Sequence, residues 1–230
     1  MLFRDEDEDV ELLPFADRAE AGHMLGVKLA VYSGRSDVVV LGLPRGGVPV
    51  AFQVAQVLKA PLDVLVVRKL GVPRERELAM GAIASGNVQI LDLSLVKRLC
   101  VPSEAIQEVA AAERKELERQ EQLYRNDRPP LSLAGKTVVL VDDGMATGSC
   151  ILAAVAAARR QRAARIVVAI PIALASACNA VRMEADELVS VAEPETFVAV
   201  SQWYEDFSQT SDDEVVALLE RPSNSTPRAA

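Results

Sequence analysis

The chain has 230 residues, of which 50% are hydrophobic and 25% charged, and this composition excludes a largely disordered protein. Its net charge of −8 comes from the ends, because residues 1–11 carry six acids and residues 205–220 carry six more. The middle is nearly neutral and has no basic stripe, which argues against nucleic-acid binding, and no apolar run reaches the roughly 20 residues of a membrane span.

The chain has a single histidine, His23, and three widely spaced cysteines, which limits the metal sites and catalytic triads that it could form. Too few such ligands are present for a zinc site of histidine and cysteine, and His23 has no nucleophile motif with which to form a Ser-His-Asp triad. The cysteines form no close pair and no export signal is recognisable, so we expect reduced thiols in a cytoplasmic protein.

The predicted elements alternate between strands and helices, which is typical of βαβ units. In chain order they are a helix over 14–31, a strand over 38–41, a helix over 50–58, a strand over 62–67, a polar loop over 68–77, a hairpin of strands 80–84 and 88–91, a helix over 103–124 capped by Ser103, a strand over 137–141, a helix over 150–161, a strand over 165–172, a helix over 174–183, strands over 188–191 and 197–200, and a helix over 215–219. We therefore predict an α/β fold with a parallel central sheet flanked by helices. The domain spans 14–220, after an acidic segment over 1–13 and before a disordered tail over 221–230.

The segment after the strand over 137–141 carries the strongest chemical signal. Asp142 and Asp143 come directly after a buried strand, where ligands bind in a parallel sheet. Small and hydroxyl-bearing residues then lead into a helix, whose free N–H groups suit a phosphate. These residues are Gly144, Met145, Ala146, Thr147, Gly148 and Ser149. Carboxylates beside a phosphate site accept hydrogen bonds from sugar hydroxyls or hold hydrated Mg²⁺, so we predict a site for a phosphorylated ribose; an acidic turn before a capped helix is the alternative.

Two other polar segments follow strands of the same sheet. Arg45, Gly46 and Gly47 follow the first strand; the glycines let backbone N–H groups approach an anion, and the arginine adds charge. Arg68 and Lys69 begin the charged stretch that follows the second strand. Taken alone, the first segment would be an ordinary turn and the second a solvated loop, but their order around one sheet favours a shared site.

Together these segments resemble the type I phosphoribosyltransferases over roughly residues 35–200. The match to that family's phosphoribosyl pyrophosphate (PRPP) motif is Asp142, Asp143, Thr147 and Gly148, with Cys150 where threonine is common. The resemblance implies a β-hairpin flexible loop and a small hood region beside the sheet. It also implies transfer of the 5-phosphoribosyl group from PRPP to a small nitrogenous base, or the reverse, with Mg²⁺ and release of pyrophosphate, often in a homodimer.

The resemblance also implies roles for individual residues. Asp142 and Asp143 would hold the ribose hydroxyls and Mg²⁺, and residues 144–149 would bind the rest of PRPP around its 5′-phosphate. The pyrophosphate would be bound by Arg45, Gly46 and Gly47 and stabilised as it leaves by Arg68 and Lys69. The closing loop offers Glu75 and Glu77 as bases, and the hood region offers Phe197, Val198 and Trp203 for contact with the acceptor.

The acceptor itself stays open at this stage. Family members that act on 6-oxopurines often carry an acid where Ala146 stands and a lysine near 171–172; neither is present, so we expect hypoxanthine and guanine to be poor acceptors. Two alternatives to such an enzyme also stay open, a non-enzymatic PRPP or nucleotide sensor on the same fold and another α/β phosphate binder such as a phosphohydrolase. The chain contains no P-loop or dinucleotide-binding glycine motif, which argues against nucleoside triphosphatases and dinucleotide enzymes.

Overall fold

The computed structural model describes residues 14–126 and 128–221, apart from the side chains of Arg76 and Glu77. Residues 1–13 and 222–230, and with them nearly all of the two predicted end segments, lie outside the described residues. The α-helices are α1 (Arg18–Lys28), α2 (Gly47–Leu58), α3 (Leu93–Arg98), α4 (Ser103–Arg125), α5 (Ser149–Arg160), α6 (Ala175–Glu184) and α7 (Asp212–Glu220). The strands are β1 (Val38–Gly42), β2 (Leu62–Val64), β3 (Val67–Val72), β4 (Glu75–Ala84), β5 (Val88–Leu91), β6 (Thr137–Val141), β7 (Arg165–Ile172) and β8 (Glu187–Ala192).

Within the described residues, five parallel strands form the central sheet in the order β2-β1-β6-β7-β8. The predicted parallel sheet flanked by helices is thereby confirmed. The adjacent strands β1 and β6 are paired along their whole length, from Val38 opposite Thr137 to Gly42 opposite Val141. Because both strands end at the same edge, the loops that follow them begin side by side.

The core lies on both faces of the sheet, since successive side chains of a strand point to opposite faces. In β1, Leu41 belongs to a cluster with Ile151 of α5, whereas Val40 belongs to a cluster with Val54 of α2. Every residue of β1 and of β6 is buried. This burial explains the continuous apolar runs by which both strands could be predicted.

The hairpin region forms a second, antiparallel sheet in the order β3-β4-β5. The single strand predicted over 62–67 is wrong in its extent, because β2 ends at Val64 and the chain changes sheets before β3 begins at Val67. Leu65 and Val66, which make the change, are both buried. Hydrophobicity therefore continues across the junction and gives no sign of it.

The stretch predicted as a polar loop over 68–77 is mostly paired strand. Leu70 and Val72 of β3 are buried and fix one side of the strand, while its charged residues stay more exposed. The register shifts around Gly71, and a short turn joins β3 to β4. The region in which the resemblance implies a flexible loop built as a β-hairpin is therefore a β-hairpin in the structure, formed by β3 and β4.

The helix predicted over 14–31 is shorter, because α1 begins at Arg18. The side chain of Asp17 caps it by accepting hydrogen bonds from the N–H groups of Ala19 and Glu20. Phe15 lies before the cap and forms an isolated parallel bridge with Tyr204. The residues before α1 therefore contact a segment near the carboxyl end of the domain.

Two smaller predictions also need correction, and one helix was missed. Pro102 occupies the N-cap position of α4 without a side-chain hydrogen bond, so Ser103 is the first residue of the helix and not its cap. The short helix α3, capped by Asp92, was not predicted. The strand predicted over 197–200 is wrong, since residues 197–199 are irregular and a 3₁₀ helix (Val200–Trp203) begins at the last position. Among the described helices, none has both the length and the apolar content that a membrane crossing needs.

Candidate active site

The loops after β1 and β6 are in direct contact. A Cβ atom placed on Gly46 would lie 2.0 Å from Oδ2 of Asp143, and one on Gly47 would lie 2.8 Å from the Cα of Asp142. Side chains at these two positions would collide with the acidic pair. The structure therefore brings the predicted glycine turn and the predicted acidic pair into one place, and the close approach explains why glycine stands at 46 and 47.

The acidic pair is largely shielded from water. Burial raises the pKa of Asp142 well above its usual range, and the charge of Asp143 raises it further. Burial also raises the pKa of Asp143, although the guanidinium of Arg18 opposes this effect. One oxygen of Asp142 accepts a hydrogen bond of 2.9 Å from the N–H of Asp143, so the two residues form a compact unit with acceptor oxygens at the sheet edge.

Arg18 was not identified from the sequence, yet it contacts this unit directly. Its Nε donates a hydrogen bond of 2.8 Å to Oδ2 of Asp143. Its Nη1 donates to the carbonyl of Ser208, and its guanidinium lies 3.9 Å from the ring centre of Phe207. No local pattern could have predicted the pair, because 125 positions separate the two residues along the chain.

Tyr204 is a second contact that sequence reasoning missed. Its hydroxyl donates a hydrogen bond of 2.6 Å to the carbonyl oxygen of Asp143, and its side chain is buried. Next to it, Val200 packs so closely on Gly144 that a Cβ there would lie 2.2 Å from a Val200 methyl carbon. The segment that the resemblance assigns to the hood region therefore covers the loop that carries the acidic pair.

The start of α5 supplies unpaired backbone donors. The N–H groups of Ala146, Thr147 and Gly148 have no hydrogen-bond partner within the described part of the chain. Gly148 has φ +75° at the N-cap of α5, a left-handed conformation that suits glycine. Thr147 is exposed, and its hydroxyl lies 3.5 Å from that of Ser149. These groups can bind an anion at a helix N-terminus.

Two predicted anion-binding residues differ from their neighbours. The N–H of Met145 donates to the carbonyl of Ile172, and its side chain is buried in the core. The N–H of Gly47 donates to the carbonyl of Leu43. Neither N–H is free for a ligand, so the backbone donors of Met145 and Gly47 shape the two loops, and their predicted role in anion binding through the backbone is not supported.

Arg45 points toward the C-terminal helix. The peptide bond between Pro44 and Arg45 is cis. Nη1 of Arg45 lies 3.7 Å from Oδ1 of Asp212, the first residue of α7. The same carboxylate accepts hydrogen bonds from Tyr124 at 2.6 Å and from Arg119 at 3.2 Å. Arg45 is about a third exposed and is therefore held loosely at the rim of the site.

The hairpin carries the predicted pair of basic residues to the other side of the site. Arg68 forms an ion pair with Glu113 of α4 at 2.7 Å. A cavity of about 710 Å³ lies between β3 and α4, and its lining includes Arg68, Lys69, Glu113 and Cys150. Cys150 lies in the first turn of α5, so this cavity adjoins the loop after β6. Glu75 is exposed on β4, whereas the side chain of Glu77 is outside the described residues.

The hood candidates do not form an open aromatic platform. Phe197 and Trp203 pack against a cluster that contains Phe15 and Tyr204. Within the described residues, the buried Nε1 of Trp203 has no hydrogen-bond partner. Val198 is 97% exposed.

Comparison with known proteins shows the family of this chain. The family model of the phosphoribosyl transferase domain matches residues 25–208, which is most of the chain. The chain belongs to this family. As a phosphoribosyl transferase domain, it resembles two Mycobacterium tuberculosis proteins provisionally named phosphoribosyl transferases, MT0597 and Rv0571c, each 48% identical over 207 residues. The match covers 90% of this chain and 46% of each relative, so the chain spans about half the length of the curated relatives it matches.

A solved structure also superimposes on most of this phosphoribosyl transferase domain. The crystal structure of TT1426 from Thermus thermophilus is 39% identical and superimposes with a TM-score of 0.76 over 90% of this chain and 98% of that one. Two contacts of the site come from outside the family match at 25–208. Arg18 precedes the matched range and Asp212 follows it.

Few of the described side chains in the phosphoribosyl transferase domain are placed to bind a metal ion. No group of three or more histidine, cysteine or acidic side chains placed to hold a metal occurs among the described residues. Mg²⁺ is commonly bound by one or two carboxylates together with substrate phosphates and water. Asp142 and Asp143 fit a shared Mg²⁺ of this kind, since Arg18 engages one oxygen of the pair and others remain.

Proposed function

We propose that this domain transfers the 5-phosphoribosyl group from PRPP to a small nitrogenous base, or catalyses the reverse reaction, with Mg²⁺ and release of pyrophosphate. The observation that carries the proposal is the contact between the acidic pair, Asp142 and Asp143, and the glycine turn at 46–47. A diol-binding acid pair and an anion-binding turn at one sheet edge match a ribose that carries a pyrophosphate. Family membership supports the same activity.

In this proposal the ribose and its 5′-phosphate bind to the loop after β6. Oxygens of Asp142 and Asp143 accept hydrogen bonds from the 2′- and 3′-hydroxyls, close to the positive charge that develops at C1. The 5′-phosphate accepts hydrogen bonds from the free N–H groups at 146–148 and from the hydroxyls of Thr147 and Ser149. These contacts fix the ribose through its hydroxyls and its 5′-phosphate.

The pyrophosphate leaves as the bond from C1 to its oxygen breaks and a bond from C1 to nitrogen of the acceptor forms. Arg45 and the N–H of Gly46 stabilise the departing charge from one side, and Arg68 and Lys69 stabilise it from the hairpin. Arg45 then exchanges Asp212 for the phosphate, and Arg68 exchanges Glu113. Asp142 and Asp143 would hold Mg²⁺, which would supply further charge neutralisation on the pyrophosphate.

An acceptor that must lose a proton passes it to a carboxylate of the hairpin, Glu75 or Glu77. Contact with the acceptor comes from the segment of Phe197, Val198 and Trp203, which would have to open, because two of these side chains are packed. The proposed partners are therefore PRPP, pyrophosphate and a small base in the cytoplasm, without nucleic acid or membrane. Because members of the family are often dimeric, a homodimer is part of the proposal.

Calorimetry with PRPP, in the presence and absence of Mg²⁺, tests the binding step. We expect Mg²⁺-dependent heat, and its absence from the folded protein would contradict the proposal. Pyrophosphate release is then measured with adenine, hypoxanthine, guanine, orotate and nicotinate. PRPP binding without turnover of any acceptor would favour the alternative, a non-enzymatic sensor.

The acceptor panel also tests the role of Ala146. Its methyl group can neither accept a proton nor hydrogen-bond a purine nitrogen, and no lysine stands near 171–172. The polar edge of a 6-oxopurine would be left unpaired, at a cost of about 1–3 kcal/mol per group. We expect hypoxanthine and guanine to be poor acceptors, and rapid turnover of either would contradict this reading of position 146.

A further inference from the structure

We propose that Arg18 is a positioning residue for the transfer reaction, which acts by fixing the carboxylate of Asp143 for contact with the ribose. The inference rests on the proposed function, because it needs the acidic pair to bind PRPP. It extends the site to α1, which begins before the part of the chain that matches the family. Arg18 is not proposed to touch the substrate.

The position of the guanidinium is fixed by several independent contacts. Nε donates to Oδ2 of Asp143 at 2.8 Å, and the side chains of this ion pair are only 12% and 17% exposed. Nη1 donates to the carbonyl of Ser208 at 2.8 Å, and the ring of Phe207 lies against the guanidinium. A planar group held by two hydrogen bonds and a ring has little freedom to turn.

Arg18 also lies where the two loops of the site meet. Its Nε would be 3.2 Å from a Cβ atom on Gly46, so the guanidinium reaches the glycine turn as well as the acidic pair. Because Arg18 engages Oδ2 of Asp143, the other oxygen of that carboxylate is the one left to contact the ribose. Tyr204 holds the backbone of the same residue through its carbonyl oxygen. Asp143 is thus fixed by both its side chain and its main chain.

A purely structural role for Arg18, in which it only holds α1 against the carbonyl of Ser208 and the ring of Phe207, predicts a different result. In that case its loss would weaken PRPP binding to the same extent whether or not residue 143 carries a charge. If Arg18 acts through Asp143, the two substitutions must be coupled, and removing the second partner must add little. A double-mutant cycle separates these roles.

The experiment measures PRPP affinity by calorimetry with Mg²⁺ for Arg18→Met, Asp143→Asn and the double variant. Methionine keeps an apolar stem against Phe207 and removes the donors. We expect Arg18→Met to weaken binding about tenfold, the loss of a hydrogen bond to a charged group, and about twofold or less in the Asp143→Asn background. Arg18→Lys should recover part of the loss, since it restores one donor.

The matched control is Arg35→Met, which breaks the exposed Arg35–Asp37 ion pair at the amino end of β1, away from the site. Its PRPP affinity should stay within about twofold of the unmodified chain, because exposed pairs contribute little. Equal losses from Arg18→Met in both backgrounds would overturn the positioning role while PRPP binding by the unmodified chain still supports the proposed function. No PRPP binding by the unmodified chain overturns both. If Arg18→Met does not fold, the cycle is run with Arg18→Lys, and the same two outcomes decide it.

Discussion

The loop after β6 and the β3–β4 hairpin face the same site but are held in opposite ways. The loop is fixed by the ion pair to Arg18, by the Tyr204 hydroxyl and by the backbone bond of Met145. In the hairpin, Arg68 is about a third exposed and pairs with Glu113, which is similarly exposed. The loop is therefore preorganised for a ligand, whereas the charges of the hairpin can change partners at low cost.

The difference has a cost in stability. The loop keeps two carboxylates in a shielded place, where burial opposes their ionisation. Such groups persist where the surrounding structure and the function require them. Arg68 and Lys69 of the hairpin have no comparable cost, since their charges remain partly in water. Variants in the loop should therefore change both ligand binding and stability, and variants in the hairpin should mainly change the reaction.

The largest expected effect is on ligand binding by the loop. Asp142→Asn should weaken PRPP affinity by about 1.5–3 kcal/mol, because it removes a charged acceptor for the ribose hydroxyls. Calorimetry with Mg²⁺ measures the change, and Asp37→Asn, at the amino end of β1, is the matched control. Unchanged affinity in Asp142→Asn would mean that the acids are only a turn before a helix.

The second prediction separates the two glycines of the turn. Gly47→Ala should lower the free energy of unfolding by about 1–3 kcal/mol, since its Cβ would meet the backbone of Asp142 and of Val141, which cannot move aside easily. Gly46→Ala would instead meet the Asp143 side chain and should reduce PRPP affinity more than stability. Urea unfolding and calorimetry on both variants test this, and identical profiles for the two would show that the contacts are not distinct.

The third prediction concerns the hairpin and turnover. Lys69→Ala should lower kcat about tenfold while changing the PRPP dissociation constant by less, because its charge is needed most when pyrophosphate leaves. Steady-state kinetics beside calorimetry provide the two numbers. Equal losses in both would indicate that Lys69 stabilises the ground state and the transition state alike.

The fourth prediction is a pH dependence of stability. The pKa of Asp142 is raised in the folded state, so the folded chain holds its proton more tightly than the unfolded chain does. The contribution of this group to the free energy of unfolding is therefore complete below about pH 4, the pKa of aspartate in an unfolded chain. It is lost as the pH rises toward the raised pKa of the folded state. Asp142→Asn should remove this loss and be more stable than the unmodified chain at pH 7. Urea unfolding at pH 4 and pH 7 measures the free energy of unfolding of both chains. If the stability that Asp142→Asn gains over the unmodified chain is no larger at pH 7 than at pH 4, the result would argue against a buried charge.

The smallest expected effect is on the Arg68–Glu113 ion pair. Glu113→Gln should change the free energy of unfolding by less than about 1 kcal/mol, because both side chains are partly exposed. Chemical denaturation gives the value. A loss of several kcal/mol would show that the hairpin is fixed as firmly as the loop, which would remove the contrast between them.

The parts of the fold and site that follow from local patterns could be predicted from the sequence. The run that ends at Val141 is entirely buried, and the acids after it stand at the sheet edge where a parallel strand places them. The sheet change between Val64 and Val67 could not be predicted, because the apolar run continues across it. The strand expected over 197–200 was wrong: Val200 begins a 3₁₀ helix and packs on Gly144, a long-range contact that no periodicity records.

The contacts that orient the site could not be predicted for a related reason. Arg18 looks like any first-turn residue of a helix, and Asp212 looks like an N-terminal helix acid that favours the helix dipole. Their partners lie in distant parts of the chain and are chosen by packing. A search for the site by motif therefore finds the groups that contact the ligand and omits those that hold them.

The bridge between Phe15 and Tyr204 has a practical consequence for anyone shortening this chain. Phe15 and Tyr204 bring the start of the domain against the segment that covers the acidic loop, with further backbone hydrogen bonds from residue 15 to 203 and from 205 to 15. A fragment cut at 25–208 would keep every motif residue and lose Arg18, this bridge and Asp212 together. Such a fragment could fold around its sheet and still give a false negative in a ligand screen, so the boundaries of a family match are unsafe limits for expression.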